Sequence, residues 1–210
     1  MEWNKLQDAR LAVIAKLVSL APAGYLERTA LMKFCYLLQT VRQVPVGYRF
    51  TLYSYGPFDA DVLSDLGTAE NLEAVKASVV QYSGGYGYRI RKGGRAEETI
   101  EAGIGLLEEH ARDIDRVIAE FGSHGSADLE LESTIVFVDR ECARKAERLT
   151  ISELARRVKD VKPHFEEAYI AGKAVGLREK RMLRSIAPSM VHARSALPSG
   201  ATGGDLGAGD

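Results

Sequence analysis

Apolar residues recur at intervals of three and four positions in two segments near the start of the chain, residues 3–20 and 26–41. This spacing places apolar side chains along one side of an α-helix, so it predicts a helix in each segment. Each segment is followed by a proline and a glycine, which commonly end helices: Pro22 and Gly24 after the first, Pro45 and Gly47 after the second.

Apolar and polar positions then alternate over residues 47–55, "GYRFTLYSY", which predicts a half-buried strand rich in aromatic residues. Gly56 and Pro57 interrupt this strand. Because proline suits the first turn of a helix, we expect a short helix over residues 57–66, which Gly67 ends.

Residues 68–79 predict another short helical stretch. Two β-prone runs then flank Gly84 and Gly85, and this arrangement predicts a β-hairpin. Apolar residues return to helical spacing over residues 97–121, which predicts one long helix with a first half weakened by glycines.

The last third of the chain predicts three further helices. Residues 128–146 contain an apolar run suited to the centre of a core. Thr150 followed by Glu153 has the spacing of a capping box and predicts the start of the next helix, and Pro163 begins the third. Residues 185–210 are rich in Ser, Ala, Pro and Gly, so we predict a disordered tail there.

The order of these elements predicts a fold that is mainly α with a small β component. Three helices and a hairpin are the parts of a winged helix-turn-helix, so we expect a winged-helix-like module over residues 1–96. Residues 97–184 predict a helical, helix-turn-helix-like module packed on it, and a single domain formed by both parts stays open.

Composition indicates the cellular environment of the protein but says little about its activity. The formal net charge of −1 gives no overall field toward nucleic acid or an anionic membrane. We expect no membrane-spanning segment, because no apolar run approaches the length needed to cross a bilayer. Cys35 and Cys142 are far apart and predict buried, unpaired thiols, so we expect a cytoplasmic protein.

Residues 31–66, "LMKFCYLLQTVRQVPVGYRFTLYSYGPFDADVLSDL", resemble the core of the YwgA-like proteins and, more distantly, the Panacea (SocA-like) antitoxin domain. The shared pattern is a Lys-aromatic-x-Tyr-Leu helix, a short Gly-Tyr strand and a Tyr-Gly-Pro corner before a helix. The segment from "LELESTIVFVDRE" to "AVGL" also resembles the C-terminal half of YwgA. The resemblance implies a mostly helical, winged-helix-like fold, and the Panacea domain implies an antitoxin that neutralises a partner toxin by direct binding.

Residue patterns that indicate catalysis or a cofactor are few. The chain has no Gly-rich phosphate loop followed by Lys and Ser or Thr, and its serines lack a nucleophile elbow. The histidines and cysteines do not have the close spacing of zinc ligands. We therefore predict a protein that is not an enzyme and that has no metal or cofactor.

Two clusters of basic residues suggest nucleic-acid contact as an alternative function. Arg89, Arg91, Lys92 and Arg95 lie in the predicted wing without an acidic residue among them, and wings can contact phosphates. The second cluster lies near the end of the last helix, where the helix dipole alone favours cations: Lys173, Arg178, Lys180, Arg181 and Arg184.

The acidic residues of the helix after the Gly-Pro break argue against DNA binding by this module. In a winged helix, the helix at this position reads the groove, whereas here it carries Asp59, Asp61 and Asp65 and no base. Carboxylates at that surface would repel the phosphates whose neutralisation supplies much of the affinity for DNA.

A protein-binding surface is the function that the residues favour, with a winged-helix transcriptional regulator as the alternative. We predict a surface for a basic protein partner formed by Tyr53, Tyr55, Gly56, Pro57, Asp59, Asp61 and Asp65. Two points stay open at this stage: whether both tyrosines instead pack on the C-terminal helices, and whether the protein forms homo-oligomers.

Overall fold

The computed structural model of the protein describes residues 2–82 and 84–186. It confirms a mainly helical chain with a small β component. The elements up to residue 92 are α1 (Glu2–Ser19), β1 (Leu26–Glu27), α2 (Arg28–Val41), β2 (Thr51–Tyr53), β3 (Gly56–Phe58), α3 (Ala60–Asn71), β4 (Val75–Tyr82) and β5 (Gly85–Lys92). The remaining elements are α4 (Ala96–Ala102), α5 (Ile104–Glu109), α6 (Ala111–Phe121), α7 (Ser126–Arg144), α8 (Ile151–Val161) and α9 (Glu167–Glu179).

Strands β4 and β5 form the antiparallel hairpin that the sequence predicts, with Tyr82 paired to Gly85 next to the turn. The short strand β1 pairs with the other side of β5, where Leu26 lies opposite Ile90, so the strand order is β1-β5-β4. Both residues of this pair are buried, and they join the sheet to the helical core.

The Gly-Pro break has a different structure from the predicted one. Gly56 and Pro57 belong to β3, which forms a small antiparallel hairpin with β2, and the helix starts only at Ala60. The helix starts there because Asp59 is its N-cap residue. The Asp59 carboxylate accepts the backbone N–H of Asp61 at 2.9 Å, which places the helix start after Asp59.

Helix α3 continues through Gly67, which was predicted to end it, and strand β4 already begins at Val75, within the stretch 68–79 that was predicted to be helical. A glycine within a helix costs about 1 kcal/mol relative to alanine but does not terminate it. The helix ends instead next to Glu73, which adopts a left-handed φ of 58° and directs the chain into β4.

The predicted single helix over residues 97–121 is divided into α4, α5 and α6 by Gly103 and His110. A Cβ at Gly103 would lie 2.4 Å from the Cβ of Ala12 and 2.7 Å from the carbonyl oxygen of Asp8. The chain therefore bends where α1 approaches the backbone too closely for any side chain.

One hydrophobic core includes residues of both predicted modules, from Leu11 in α1 to Met182 after α9. The two cysteines are buried and free within it, as predicted. The capping box at Thr150 and Glu153 is also present. Pro163, however, lies in the loop before α9, because this helix begins at Glu167. None of the described helices has the length and apolar composition to cross a bilayer.

Ser185, which was assigned to the predicted tail, is instead held in the fold by Asp139 of α7, together with its neighbour Arg184. Its fully buried carboxylate accepts the Ser185 backbone N–H and hydroxyl at 2.8 and 2.7 Å and the Arg184 backbone N–H at 2.8 Å. The Leu149 N–H donates to the Ser185 carbonyl oxygen at 2.9 Å, so Ser185 joins α7 to the start of α8. The rest of the predicted tail, residues 187–210, lies outside the described residues.

We expect the Asp139→Ala variant to lose about 3 kcal/mol of unfolding free energy, because several buried donors lose their acceptor at once. Urea denaturation of the full chain measures this change. The control is Asp115→Ala, which removes an exposed carboxylate on α6 that has no hydrogen bond or ion pair to the residues described. An equal effect of both substitutions would contradict the role of Asp139.

Candidate binding cleft

The β2–β3 hairpin, residues 51–58, presents two tyrosines to solvent. The exposed fraction is 64% for Tyr53 and 72% for Tyr55. The only described ring contact of this pair is between Tyr53 and Phe58, at 5.3 Å between centroids. The question left open by the sequence is thereby decided, because neither tyrosine is buried against the C-terminal helices.

A cleft of about 340 Å³ lies between the first residues of α2 and this hairpin. Met32, Phe58 and Leu63 provide its apolar lining. The other side chains around it are Arg28, Thr29, Lys33, Tyr53, Ser54 and Tyr55. No carboxylate residue is among the described residues that line it. Its volume lies toward the lower end of ligand sites, which span about 300–1,000 Å³.

Lys33 is a buried ammonium in the wall of this cleft. Its exposed fraction is 2%, and its Nζ donates to the carbonyl oxygen of Pro57 at 2.7 Å. This is its one hydrogen bond to the residues described. Burial lowers the pKa of Lys33 from 10.5 to about 8, while the negative charge of Glu130 opposes this shift. Folding therefore keeps a cation where solvation cannot stabilise it.

A second buried ammonium, Lys162 at the end of α8, holds the other part of the hairpin. Its Nζ donates to the carbonyl oxygen of Ser54 and lies 2.5 Å from Oε1 of Glu130 on α7. Gly56 has a φ of 86°, and a Cβ there would lie 3.0 Å from the Thr134 hydroxyl oxygen. The hairpin backbone is thus held between two lysines and packed closely on α7.

Arg28 is an exposed cation at the N-terminus of α2. Its guanidinium carbon lies 4.0 Å from the centroid of the Tyr88 ring, a cation–π contact with strand β5. Arg28 has no carboxylate partner among the residues described. A guanidinium has five N–H donors, so a contact with one aromatic ring leaves donors that an acceptor can still bind.

Several of the residues predicted to contact a partner have internal roles instead. Gly56 and Pro57, in strand β3 of the hairpin, are buried, and the Asp59 side chain is used as the helix cap, where it also accepts the Arg49 N–H. Asp61 remains exposed. Its carboxylate lies 3.9 Å from the Arg10 guanidinium, on the side of α3 away from the cleft lining.

Asp65 is buried and accepts a hydrogen bond from the hydroxyl of Tyr48 at 2.9 Å. The Arg10 guanidinium lies 3.7 Å from the same carboxylate and 4.4 Å from the Tyr48 ring centroid. Burial raises the pKa of Asp65, and its hydrogen bond with Tyr48 opposes this shift. The position of Asp65 corrects its prediction as a contact residue, because its carboxylate is enclosed by groups of the same chain.

The predicted nucleic-acid residues of the wing contact other side chains of the protein. Arg89 and Arg91 lie over the ring of Tyr25, at 4.4 and 5.5 Å from its centroid. Lys92 pairs with Glu97, and Arg95 pairs with Glu98 at 2.7 Å. These two pairs are exposed, so they are weak, but they reduce the positive charge at the base of the wing.

The second basic cluster does not form a continuous patch of unpaired cations. Lys173 lies 3.1 Å from the Asp128 carboxylate and 3.3 Å from that of Glu132. The backbone N–H of Arg184 is bound to Asp139. Contacts between α9 and α7 therefore explain part of this cluster.

Sequence patterns alone did not assign a role to Lys33, Lys162, Glu130 or Arg28. A signal for Lys33 was present, because it is the one charged residue within the apolar run "ALMKFCYLL" on α2. The same lysine belongs to the Lys-aromatic-x-Tyr-Leu pattern, and its contact with Pro57 joins that pattern to the Tyr-Gly-Pro corner. The positions of Lys162 and Glu130 follow only from the packing of α7 and α8 on the hairpin.

No family model and no curated protein matches this chain. Within residues 2–82 and 84–186, no group of three His, Cys, Asp or Glu side chains is arranged to hold a metal ion.

We expect Lys33→Met to raise the unfolding free energy at pH 7, because it removes a buried charge. Because the pKa of Lys33 is about 8 in the folded protein and 10.5 when unfolded, Lys33 lowers the unfolding free energy by its full amount below about pH 8. This loss of unfolding free energy disappears as the pH rises toward 10.5. The advantage of the variant over the wild type should shrink by about 2 kcal/mol between pH 7 and pH 10. Urea denaturation of both proteins at each pH measures this difference, and a difference independent of pH would contradict the assignment.

Proposed function

We propose that the protein is a non-enzymatic protein-binding module of winged-helix type, and that it binds a partner protein through the cleft between α2 and the β2–β3 hairpin. The observation that carries this proposal is the pair of exposed tyrosines beside an apolar cleft. The free, buried cysteines suit a reducing compartment, and we propose that the protein acts in the cytoplasm.

The order of the N-terminal elements supports the winged-helix assignment. Helices α1, α2 and α3 precede the β4–β5 hairpin, and the second strand of that hairpin pairs with β1, which lies between the first two helices. In this arrangement β4 and β5 correspond to the wing, and α3 occupies the position of the groove-reading helix. The β2–β3 hairpin is an addition between α2 and α3.

The composition of the cleft supports protein binding. Tyrosine and arginine are, with tryptophan, the residues enriched among energetic anchors at protein interfaces, and both occur here beside apolar side chains. Two lysines hold the backbone of the hairpin, so its tyrosines lie on a fixed support. A partner therefore meets a largely preformed surface and loses little free energy in ordering it.

The resemblance to the Panacea domain gives this proposal its most specific form, an antitoxin or defence-associated protein whose partner is a toxin. The Tyr-Gly-Pro corner that carries the resemblance is the same segment that forms the exposed hairpin. Neutralisation by direct binding needs a binding surface and no catalytic group, and the apolar, aromatic and basic residues that line the cleft can provide such a surface.

We expect Tyr55→Ala to weaken binding of the partner at least about tenfold, a loss of about 1.4 kcal/mol, because it removes an aromatic anchor. The partner is first captured from the native host with the tagged full-length chain and purified. Isothermal titration calorimetry then compares the wild type with the variant. Tyr53→Ala should have an effect in the same direction.

The matched control is Tyr86→Ala, because Tyr86 is also 72% exposed but lies on β5 in the wing. Circular dichroism checks that each variant keeps its fold. The proposal is wrong if no stoichiometric partner is captured, or if Tyr86→Ala weakens binding as much as Tyr55→Ala does.

A DNA-binding regulator is the second candidate, and the observation that favours it is the pair Arg89 and Arg91 on the proposed wing. Against it, the exposed part of α3 includes Asp61 and Glu70 and lacks any base. Both acidic side chains would face the phosphates if α3 entered a groove.

We expect the protein to bind duplex DNA weakly or not at all in a gel-shift assay at low salt, because few unpaired cations face one surface. Arg89→Glu combined with Arg91→Glu should then leave partner binding unchanged. Tight DNA binding that this double substitution abolishes, and that falls steeply with added salt, would favour the regulator instead.

A further inference from the structure

We infer that the cleft binds the side-chain carboxylate of an acidic residue that lies next to an apolar residue in the partner protein, with Arg28 and Lys33 as the groups that bind the carboxylate. This inference rests on the proposed function and adds the chemistry of the partner segment. It reverses the expectation from the sequence, which was a basic partner.

The first support is an unbalanced charge beneath the hairpin. Lys33 and Lys162 are both lysines with buried ammonium groups, and among the described residues Lys33 has no ion pair, with Glu130 as the carboxylate whose charge acts on it. Glu130 is already bound to Lys162, at 2.5 Å. Two ammonium groups against one carboxylate leave one positive charge without a counterion, and a buried charge is costly until it is paired.

The second support is the number of free donors. An ammonium has three N–H donors, and Lys33 uses one of them, on the Pro57 carbonyl oxygen. Arg28 is exposed and has no carboxylate partner among the described residues, so its guanidinium can bind a carboxylate through two parallel hydrogen bonds. Both residues line the same cleft, and the described lining has no carboxylate that would compete with a ligand.

The shape of the site favours a side chain over a chain terminus. Lys33 is buried, so a group must enter the cleft to reach it. An Asp or Glu side chain can extend inward while the partner backbone stays at the solvent-exposed tyrosines. A C-terminal carboxylate would bring its own peptide groups against Met32 and Leu63, where their hydrogen bonds would be lost.

The apolar lining favours a protein over a nucleic acid as the source of the anion. Met32, Phe58 and Leu63 can bury an apolar side chain that neighbours the acidic one. A strand of nucleic acid instead needs a row of cations along its backbone as well as stacking surfaces. Among the described residues that line the cleft, only Arg28 and Lys33 are cations, so that row is short.

A positional-scanning library of heptapeptides tests the inference on the full-length protein at pH 7. The peptides are acetylated and amidated, so a fixed Asp or Glu supplies a carboxylate only through its side chain. We expect Asp or Glu at one position to increase binding at least about tenfold over Asn or Gln, with Leu, Phe or Tyr preferred beside it.

Two variants connect this preference to the proposed residues. Arg28→Gln, at an exposed position, and Lys33→Met should each reduce the preference for the acidic residue at least about fivefold. The matched control is Arg112→Gln, which removes an exposed arginine of α6 far along the chain from the cleft lining and should leave the preference unchanged.

The inference is wrong if the library shows a preference for Lys or Arg, or no charge preference at any position. It is also wrong if peptides are selected only from a library with free C-terminal carboxylates. Displacement of the selected peptides by a single-stranded oligonucleotide that binds more tightly would overturn it as well. Selected peptides that lack an acidic residue and lose binding in Tyr55→Ala would refute the carboxylate and leave the proposed function intact. Peptides whose binding survives both Tyr53→Ala and Tyr55→Ala would count against both proposals.

Discussion

The interaction on which the candidate surface depends is the hydrogen bonding of two buried ammonium groups to the backbone of one small hairpin. Lys33 on α2 donates to the carbonyl oxygen of Pro57, and Lys162 at the end of α8 donates to that of Ser54. A two-stranded hairpin of this length is marginal in water by itself. These lysines join the hairpin to helices that are far apart in sequence, and they hold Tyr53 and Tyr55 in exposed positions.

The buried ammonium of Lys33 lowers the stability of the fold, and a feature that lowers stability indicates a role in function. A lysine in an apolar environment loses hydration that one carbonyl oxygen restores only in part, which is why the pKa of Lys33 is lowered. A buried apolar residue of similar size would avoid that loss. Sites of binding commonly keep such unfavourable groups, because the ligand supplies the missing partner. The cation of Lys33, the exposed guanidinium of Arg28 and the apolar lining together define one surface with a distinct chemistry.

Local patterns predicted much of the fold and little of the site. Helical spacing located α1, α2 and α7, the capping box at Thr150 located the start of α8, and the glycine pair located the β4–β5 hairpin. These features depend on neighbours in sequence, and so the residues reveal them. The predicted end of α3 was wrong, because the helix ends next to Glu73, whose φ is left-handed. The prediction of one helix over residues 97–121 was also wrong, because the chain bends where Gly103 contacts α1. Two of the three acidic side chains predicted to face a partner have internal roles for the same reason, since Asp59 caps a helix and Asp65 is enclosed by Tyr48 and Arg10, whereas Asp61 remains exposed.

The sequence by itself determined a mainly helical chain with a small sheet, two buried thiols and an aromatic segment at a Gly-Pro break, because periodicity, residue size and turn chemistry act over a few residues. Tertiary structure decided that the tyrosines of this segment face solvent and that the cleft beside them is cationic. That outcome required residues from α2, α7 and α8 to meet under one hairpin, and the balance of charge there depends on which side chains packing brings together. A sequence can show each of these charges, but only the fold places two lysines and one glutamate in the same buried space.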